Sequence, residues 1–251
     1  MLSAKPWRIE TVCLLIAAQI FFFILGGLAI VLLQKTGLPG FKNLDDFGNT
    51  LIATLSLQGA TWVLMIIFLR FHGIGLAEGL GFKKGNLLFS LALALGVIIV
   101  ILPVVLWLQG VSLTLMEKIH WKPHNEEAVS LLTNSASVGE QIYLGFFAVV
   151  LAPVAEEFIF RGVLFPFIKQ LGFPKTAWIV VSLLFALIHA DAAVFIPLFV
   201  LALAFTWLYQ TTDNLLAPIC AHASFNGINL VLLVLQTSFP QYLPPWLNSS
   251  N

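Results

Sequence analysis

Charge is what this chain has least of. Of its 251 residues only 10% are Asp, Glu, Lys or Arg, and the signs cancel at twelve against twelve. A soluble domain carries about 25% charged residues, so a soluble fold is excluded at the outset. No block of like charge occurs, which removes the electrostatic footprint of a nucleic-acid binder. Cysteine is nearly absent: Cys13 and Cys220 both fall in apolar runs and read as unpaired packing residues rather than a disulfide. No internal repeat of about 20–50 residues and no low-complexity tract is present, so neither a solenoid nor a disordered array is expected.

Hydrocarbon takes the place of charge. The chain is 59% hydrophobic with a mean hydropathy of +0.98. Apolar runs near the length of about 20 residues that a bilayer requires occur at roughly 11–33, 50–69, 87–108 and 142–168, with three more at roughly 176–190, 192–209 and 215–235. The expectation is an all-α, polytopic transmembrane helix bundle of about seven, possibly eight, spans, its polar site in the C-terminal half. The first run follows Lys5 and Arg8; its core is too long for a signal-peptide h-region, so it reads as an uncleaved anchor. With the N-terminus cytoplasmic, seven Lys and Arg fall in inner segments and four in outer ones, the bias of the positive-inside rule. The expected organisation is N-terminal transmembrane helices over 1–110, a connector loop over 111–141, a transmembrane core over 142–238 and a tail over 239–251.

Few polar side chains lie deep in these runs. Of the twelve acidic residues only Glu156 and Glu157 sit within a span, and of the twelve basic residues only Arg161. Each charge at a helix centre costs about 2.5–3.5 kcal/mol on insertion scales and generally marks a site or pathway. Glu157 and Arg161 are four apart and share a helix face, where they can pair. Glu156 points about 100° away and is left for another task. Pro153 removes a backbone donor just before them and should loosen the helix, exposing a carbonyl that protein or water must satisfy.

Two later runs bring partners. Phe185 and His189 are four apart in "FALIHA", and His222 and Asn226 are four apart in "HASFN". At a rise of about 1.5 Å per residue, Glu156, His189 and Asn226 each lie about 20 Å from Lys169, Lys175 and Asp213 respectively, with His222 about one turn shallower. The four side chains thus share one layer near mid-membrane. A carboxylate in a low-dielectric site suits general-base work near neutral pH. An imidazole can orient the same water, and His222 with Asn226 can offer N–H donors to a developing oxyanion. Activated-water attack on a carbonyl, hence peptide hydrolysis in the membrane, needs no Ser or Cys nucleophile.

"EEFIFR", "FALIH" and "HASFN" fit Glu-Glu-x-x-x-Arg, Phe-x-x-x-His and His-x-x-x-Asn in order. In these motifs, over roughly 140–235, the chain resembles the CPBP family, the CAAX-protease and bacteriocin-processing (Abi) intramembrane proteins whose relatives include the Ras-converting CAAX endopeptidase. The resemblance implies that Glu156 activates water, that His189 assists, that His222 and Asn226 stabilise the oxyanion, and that Glu157 and Arg161 support them. Family members often have eight spans; the tail, with three prolines, has no room for one more. Zinc is a rival, since two His and two Glu can make a site, but neither His-Glu-x-x-His nor Glu-x-x-His occurs, and Arg161 disfavours a second cation. His72, His120 and His124 read as solvated loop residues, and Gly26 and Gly27 as helix-packing positions.

The expected function is an intramembrane endopeptidase of the glutamic type with no cofactor and no metal. Its partners are the lipid bilayer and a peptide or membrane-protein substrate, of CAAX, leader-peptide or membrane-protein type. Short loops and the lack of organelle targeting point to a prokaryotic plasma membrane. The alternatives are an ion- or proton-coupled transporter, for which inverted repeats and paired broken helices would be the sign, and a noncatalytic immunity or scaffold protein. Nothing in the sequence fixes the oligomeric state.

Overall fold

The computed structural model describes residues 5, 7–36, 46–82, 86–121 and 137–238. The expected loop over 37–45, Lys83 and Lys84, most of the connector with His124, and the tail from 239 lie outside the described residues. Among the described residues all regular structure is helical, as the composition requires: in hydrocarbon a backbone must satisfy its own polar groups. The helices are α1 (Ile9–Thr36), α2 (Phe47–Phe71), a single turn α3 (Leu76–Gly79), α4 (Leu87–Lys118), α5 (Val138–Gln170), α6 (Pro174–Leu187), α7 (Ala192–Thr212) and α8 (Leu216–Ser238). α4 runs on through residues 111–118 of the expected connector.

Six helices are long and apolar enough to cross a membrane, namely α1, α2, α4, α5, α7 and α8; this is an integral, multi-pass membrane protein. The seventh expected span differs. α6 has 14 residues, about 21 Å of helix, where about 30 Å of hydrocarbon must be crossed. It stops because Ala190 takes a left-handed backbone (φ 52°) and Asp191 caps the next helix, its Oδ1 accepting from Ala193 N–H at 2.8 Å. α6 is therefore too short to cross on its own, and His189 lies in the turn that joins it to α7. α6 still reverses the chain direction. Lys5 pairs with Asp213 at 3.0 Å, which puts the start of α1 and the end of α7 on one face and requires an even number of traverses between them.

The core gathers around α5. Phe158, Phe165, Phe185, Phe205 and Val181 are fully or almost fully buried there, while α1 presents most of its side chains outward, as a lipid-facing helix should. Trp7 ties the chain start to this core, its indole N–H donating to Gly162 O at 2.8 Å. α1 rests mainly on α2, and there the two expected packing glycines part company. A Cβ on Gly26 would collide with the Cβ and Oγ of Ser56, whereas Gly27 faces open space.

α2 and α5 are not uniform α-helices. π-helical turns occupy Leu55–Gly59 in α2 and both Phe147–Leu151 and Phe158–Leu164 in α5. Such insertions shift the phase of a helix and occur frequently at functional sites. The two in α5 flank the short α-helical stretch Ala152–Glu157, so Pro153 and both glutamates sit between two changes of register.

The contact at Gly26 gives a paired test. Gly26→Val should lower the unfolding midpoint of the detergent-solubilised protein by several degrees, roughly the effect of about 1–3 kcal/mol of overpacking. Gly27→Val should leave it unchanged, and equal shifts for both would contradict the α1–α2 packing.

Candidate active site

Arg161 is the largest fully buried side chain among the described residues, wholly removed from solvent together with Glu157. Its Nη1 donates to Glu157 Oε1 at 2.8 Å, its Nη2 to Ala202 O at 3.0 Å and its Nε to Thr206 Oγ1 at 3.4 Å. The guanidinium lies 4.6 Å from the Phe185 ring centroid and 5.5 Å from that of Phe205, so its faces are covered by rings that attract a cation. The expected i,i+4 pair thus forms. It also ties α5 to α7 and gives the buried charge the counter-charge and acceptors without which it would be untenable.

Glu157 has a second duty. Its Oε1 also meets His222 Nδ1 at 2.9 Å. A carboxylate accepts, so Nδ1 carries the proton and Nε2 faces away from Glu157. That nitrogen lies 3.9 Å from Glu156 Oε2, too far for a direct hydrogen bond and a separation at which water commonly bridges. The imidazole is held between Phe205, 5.2 Å away, and Phe185, 5.6 Å away by ring centroids.

Glu156 is placed differently from its neighbour. Its side chain is 18% exposed where that of Glu157 is fully enclosed. Its Oε1 accepts a long hydrogen bond from Gln58 Nε2 at 3.4 Å. Its Oε2 is buried and receives none from the protein. Glu157 Oε2 likewise has no donor, but it belongs to a fully enclosed side chain; Glu156 Oε2, on a partly exposed side chain and beside His222 Nε2, is the one placed to hold a water or a substrate group.

His189 and Asn226 occupy the periphery. His189 Nδ1 lies 2.7 Å from Phe185 O; a carbonyl only accepts, so Nδ1–H is the donor and Nε2 retains a lone pair. Among the described residues no hydrogen bond or ion pair joins His189 to Glu156. The link is Phe185, whose ring lies 4.9 Å from His189 and 5.6 Å from His222. Asn226 Nδ2 donates to Ala148 O at 2.8 Å. In this π turn Ala152 N–H reaches back to Phe147 O, and residue 153, a proline, has no N–H to offer the next carbonyl. The side chain on α8 supplies the missing donor, and the amide keeps a second N–H.

Glu156 and His222 are therefore brought to within 3.9 Å, Glu157, Arg161 and Phe185 pack around them, His189 is linked to them through Phe185, and Asn226 is tied to Ala148. Gln58 was not anticipated from the sequence. An amide in the middle of the apolar run 50–69 was the available signal, but it is uncharged and so did not stand out among ionisable groups. Among the described residues no three His, Cys, Asp or Glu side chains converge on a common point fit for a metal ion. A cavity of about 290 Å³ lies elsewhere, toward the face that carries Lys5 and Asp213, lined among others by Trp7, Phe158 and Tyr209; none of Glu156, His189, His222 or Asn226 borders it.

Residues 138–228 match the family model for type II CAAX prenyl endopeptidases, Rce1-like. All three motifs fall in that segment, and Gln58 falls outside it. No curated protein and no solved structure matches the chain.

Arg161→Met would leave Glu157 charged, buried and short of its main donor, and should cost about 3–5 kcal/mol of stability. The double variant Arg161→Met with Glu157→Gln removes both charges and should recover most of that loss in a denaturant titration. A double variant no more stable than Arg161→Met would show that the pair is not the source of the effect.

Proposed function

We propose that this chain, whose residues 138–228 match the model of type II CAAX prenyl endopeptidases, is an intramembrane endopeptidase in which Glu156 is the general base. The observation that carries this reading is the buried Glu156 Oε2, without a protein donor and 3.9 Å from an imidazole that its neighbour Glu157 orients. A base needs an oxygen that is not already committed, placed where a water can be held.

Glu156 takes a proton from water as the water oxygen bonds to the peptide carbonyl carbon, and the C=O electrons move onto oxygen. His222, doubly protonated with Nδ1–H on Glu157 and Nε2–H toward the substrate, and Asn226 through its second amide N–H stabilise that oxyanion, the arrangement in which preformed donors meet developing charge. Collapse of the intermediate breaks the C–N bond, and the protonated Glu156 returns its proton to the leaving amine. His189, its Nδ1–H fixed on Phe185 O, keeps Nε2 available to accept from the same water. Glu157 and Arg161 hold His222 in register. The N-terminus faces the cytoplasm, consistent with the distribution of Lys and Arg, and the enzyme resides in a prokaryotic plasma membrane. Its substrates are peptides or membrane proteins that reach mid-bilayer depth.

The test is cleavage of a mixed panel of prenylated and unprenylated fluorogenic peptides by purified wild type and Glu156→Gln, with and without chelator. Glu156→Gln keeps shape and removes the base, and kcat should fall by about 10²- to 10⁴-fold while chelator changes nothing. Equal cleavage by both proteins would remove Glu156 from the chemistry, and loss of wild-type activity with chelator would replace the glutamate mechanism with a metal-dependent one.

A further inference from the structure

α1 and α2 lie outside the segment that matches the CAAX-protease family, yet α2 brings a side chain to the reacting carboxylate. We propose that Gln58 is a positioning residue for Glu156, and that the π turn carrying it is built into α2 and braced by α1 for that purpose. The proposal rests on the reading of Glu156 as the base. Gln58 Nε2 donates to Glu156 Oε1 at 3.4 Å, across 98 residues of sequence and between two helices that otherwise meet sparsely. A donor on Oε1 fixes the carboxylate plane and leaves Oε2, the oxygen without a protein donor, as the one turned toward His222 and the water.

The local structure of α2 supports the assignment. Gln58 sits in the π turn Leu55–Gly59, where an inserted residue changes which side chains face the neighbouring helix. That turn is held from α1 and from its own next turn. Gln19 Nε2 donates to Leu57 O at 2.8 Å, Thr61 Oγ1 donates to the same carbonyl at 2.7 Å, and Thr61 Oγ1 lies 3.0 Å from Gln19 Oε1. One residue away, Ser56 occupies the space that Gly26 of α1 leaves open. Polar side chains in mid-membrane are expensive and are kept for a reason. Here Gln19 and Thr61 both donate to the Leu57 carbonyl within the π turn, and they brace the turn that carries Gln58 toward Glu156.

Three substitutions and one chemical probe decide the matter. Gln58→Met keeps length and volume and loses the donor; Gln58→His keeps an N–H donor at a similar reach and changes shape. A positioning role predicts that Gln58→Met lowers kcat about tenfold, the scale of one lost hydrogen bond to a charged group, with KM within about twofold and the unfolding midpoint unchanged. It also predicts that Gln58→His retains more activity than Gln58→Met, and that Gln19→Leu, acting through the brace, falls in the same direction as Gln58→Met. A packing role predicts the reverse order for Met and His, and that order would overturn the proposal.

The probe is independent of turnover. A hydrophobic carbodiimide is applied to the intact protein in membranes and modification of Glu156 is read by peptide mass. Gln58→Met should label at Glu156 at least about threefold faster than wild type because Oε1 loses its donor, while Glu157, held by Arg161 and His222, stays protected in both. Equal labelling overturns the contact whether or not any peptide is cleaved. If wild type cleaves nothing while Gln58→Met labels faster, the protease reading falls and the Gln58–Glu156 contact stands.

Discussion

A guanidinium with no exposure to solvent, in the middle of an apolar helix, is the constraint around which the C-terminal half is arranged. Arg161 is tolerable there only because every face of it is met: a carboxylate on one side, a carbonyl and a hydroxyl from α7 on another, and aromatic rings above and below. These partners come from α5, α6 and α7, so neutralising one charge fixes three helices. Glu157 passes the constraint on to α8 by accepting from His222. The orientation of the imidazole thus depends on a buried charge pair.

From this follows a division of labour between adjacent glutamates. Glu157 is fully buried and carries two donors on Oε1; both glutamates leave Oε2 without a protein donor, but only that of Glu156, rotated about 100° around the helix, lies beside His222 Nε2 on a partly exposed side chain. Proline and π turns make the division possible. Pro153 withdraws a backbone donor, the π turn before it displaces the ladder, and the carbonyl of Ala148 is left to Asn226. An irregularity that would be intolerable facing lipid is thereby converted into a fixed distance between α5 and α8. Asn226 so doubles as a structural tie and a source of one further N–H.

The parts of this arrangement legible in the sequence are those that violate hydrophobicity. Glu156, Glu157 and Arg161 stand out because charges in apolar runs are costly, and the i,i+4 spacing gives the pair directly. Counting residues from the presumed inner face placed Glu156 one turn deeper than His222, yet the two side chains meet. The π stretch Phe158–Leu164 lies within that count, and its wider turns advance less per residue than the α-helical rise assumed. Register changes of this kind leave no periodic signature. Apolar residues continuing to Ile188 give the short α6 the sequence signature of a full span, whereas its end is set by the backbone of Ala190 and the cap at Asp191. Gln58 carries no charge to betray it, and the Glu157–His222 bond joins residues 65 apart in sequence, which spacing alone cannot connect.

The division of labour between the two glutamates can be measured directly by recording unfolding midpoint and peptide turnover together for Glu156→Gln and Glu157→Gln. The account predicts opposite signatures: Glu156→Gln holds its stability and loses turnover, while Glu157→Gln loses stability, leaving Arg161 without its counter-charge, and retains measurable turnover where it remains folded. Two variants with the same signature, both stable and inactive or both destabilised in proportion to their activity loss, would contradict it.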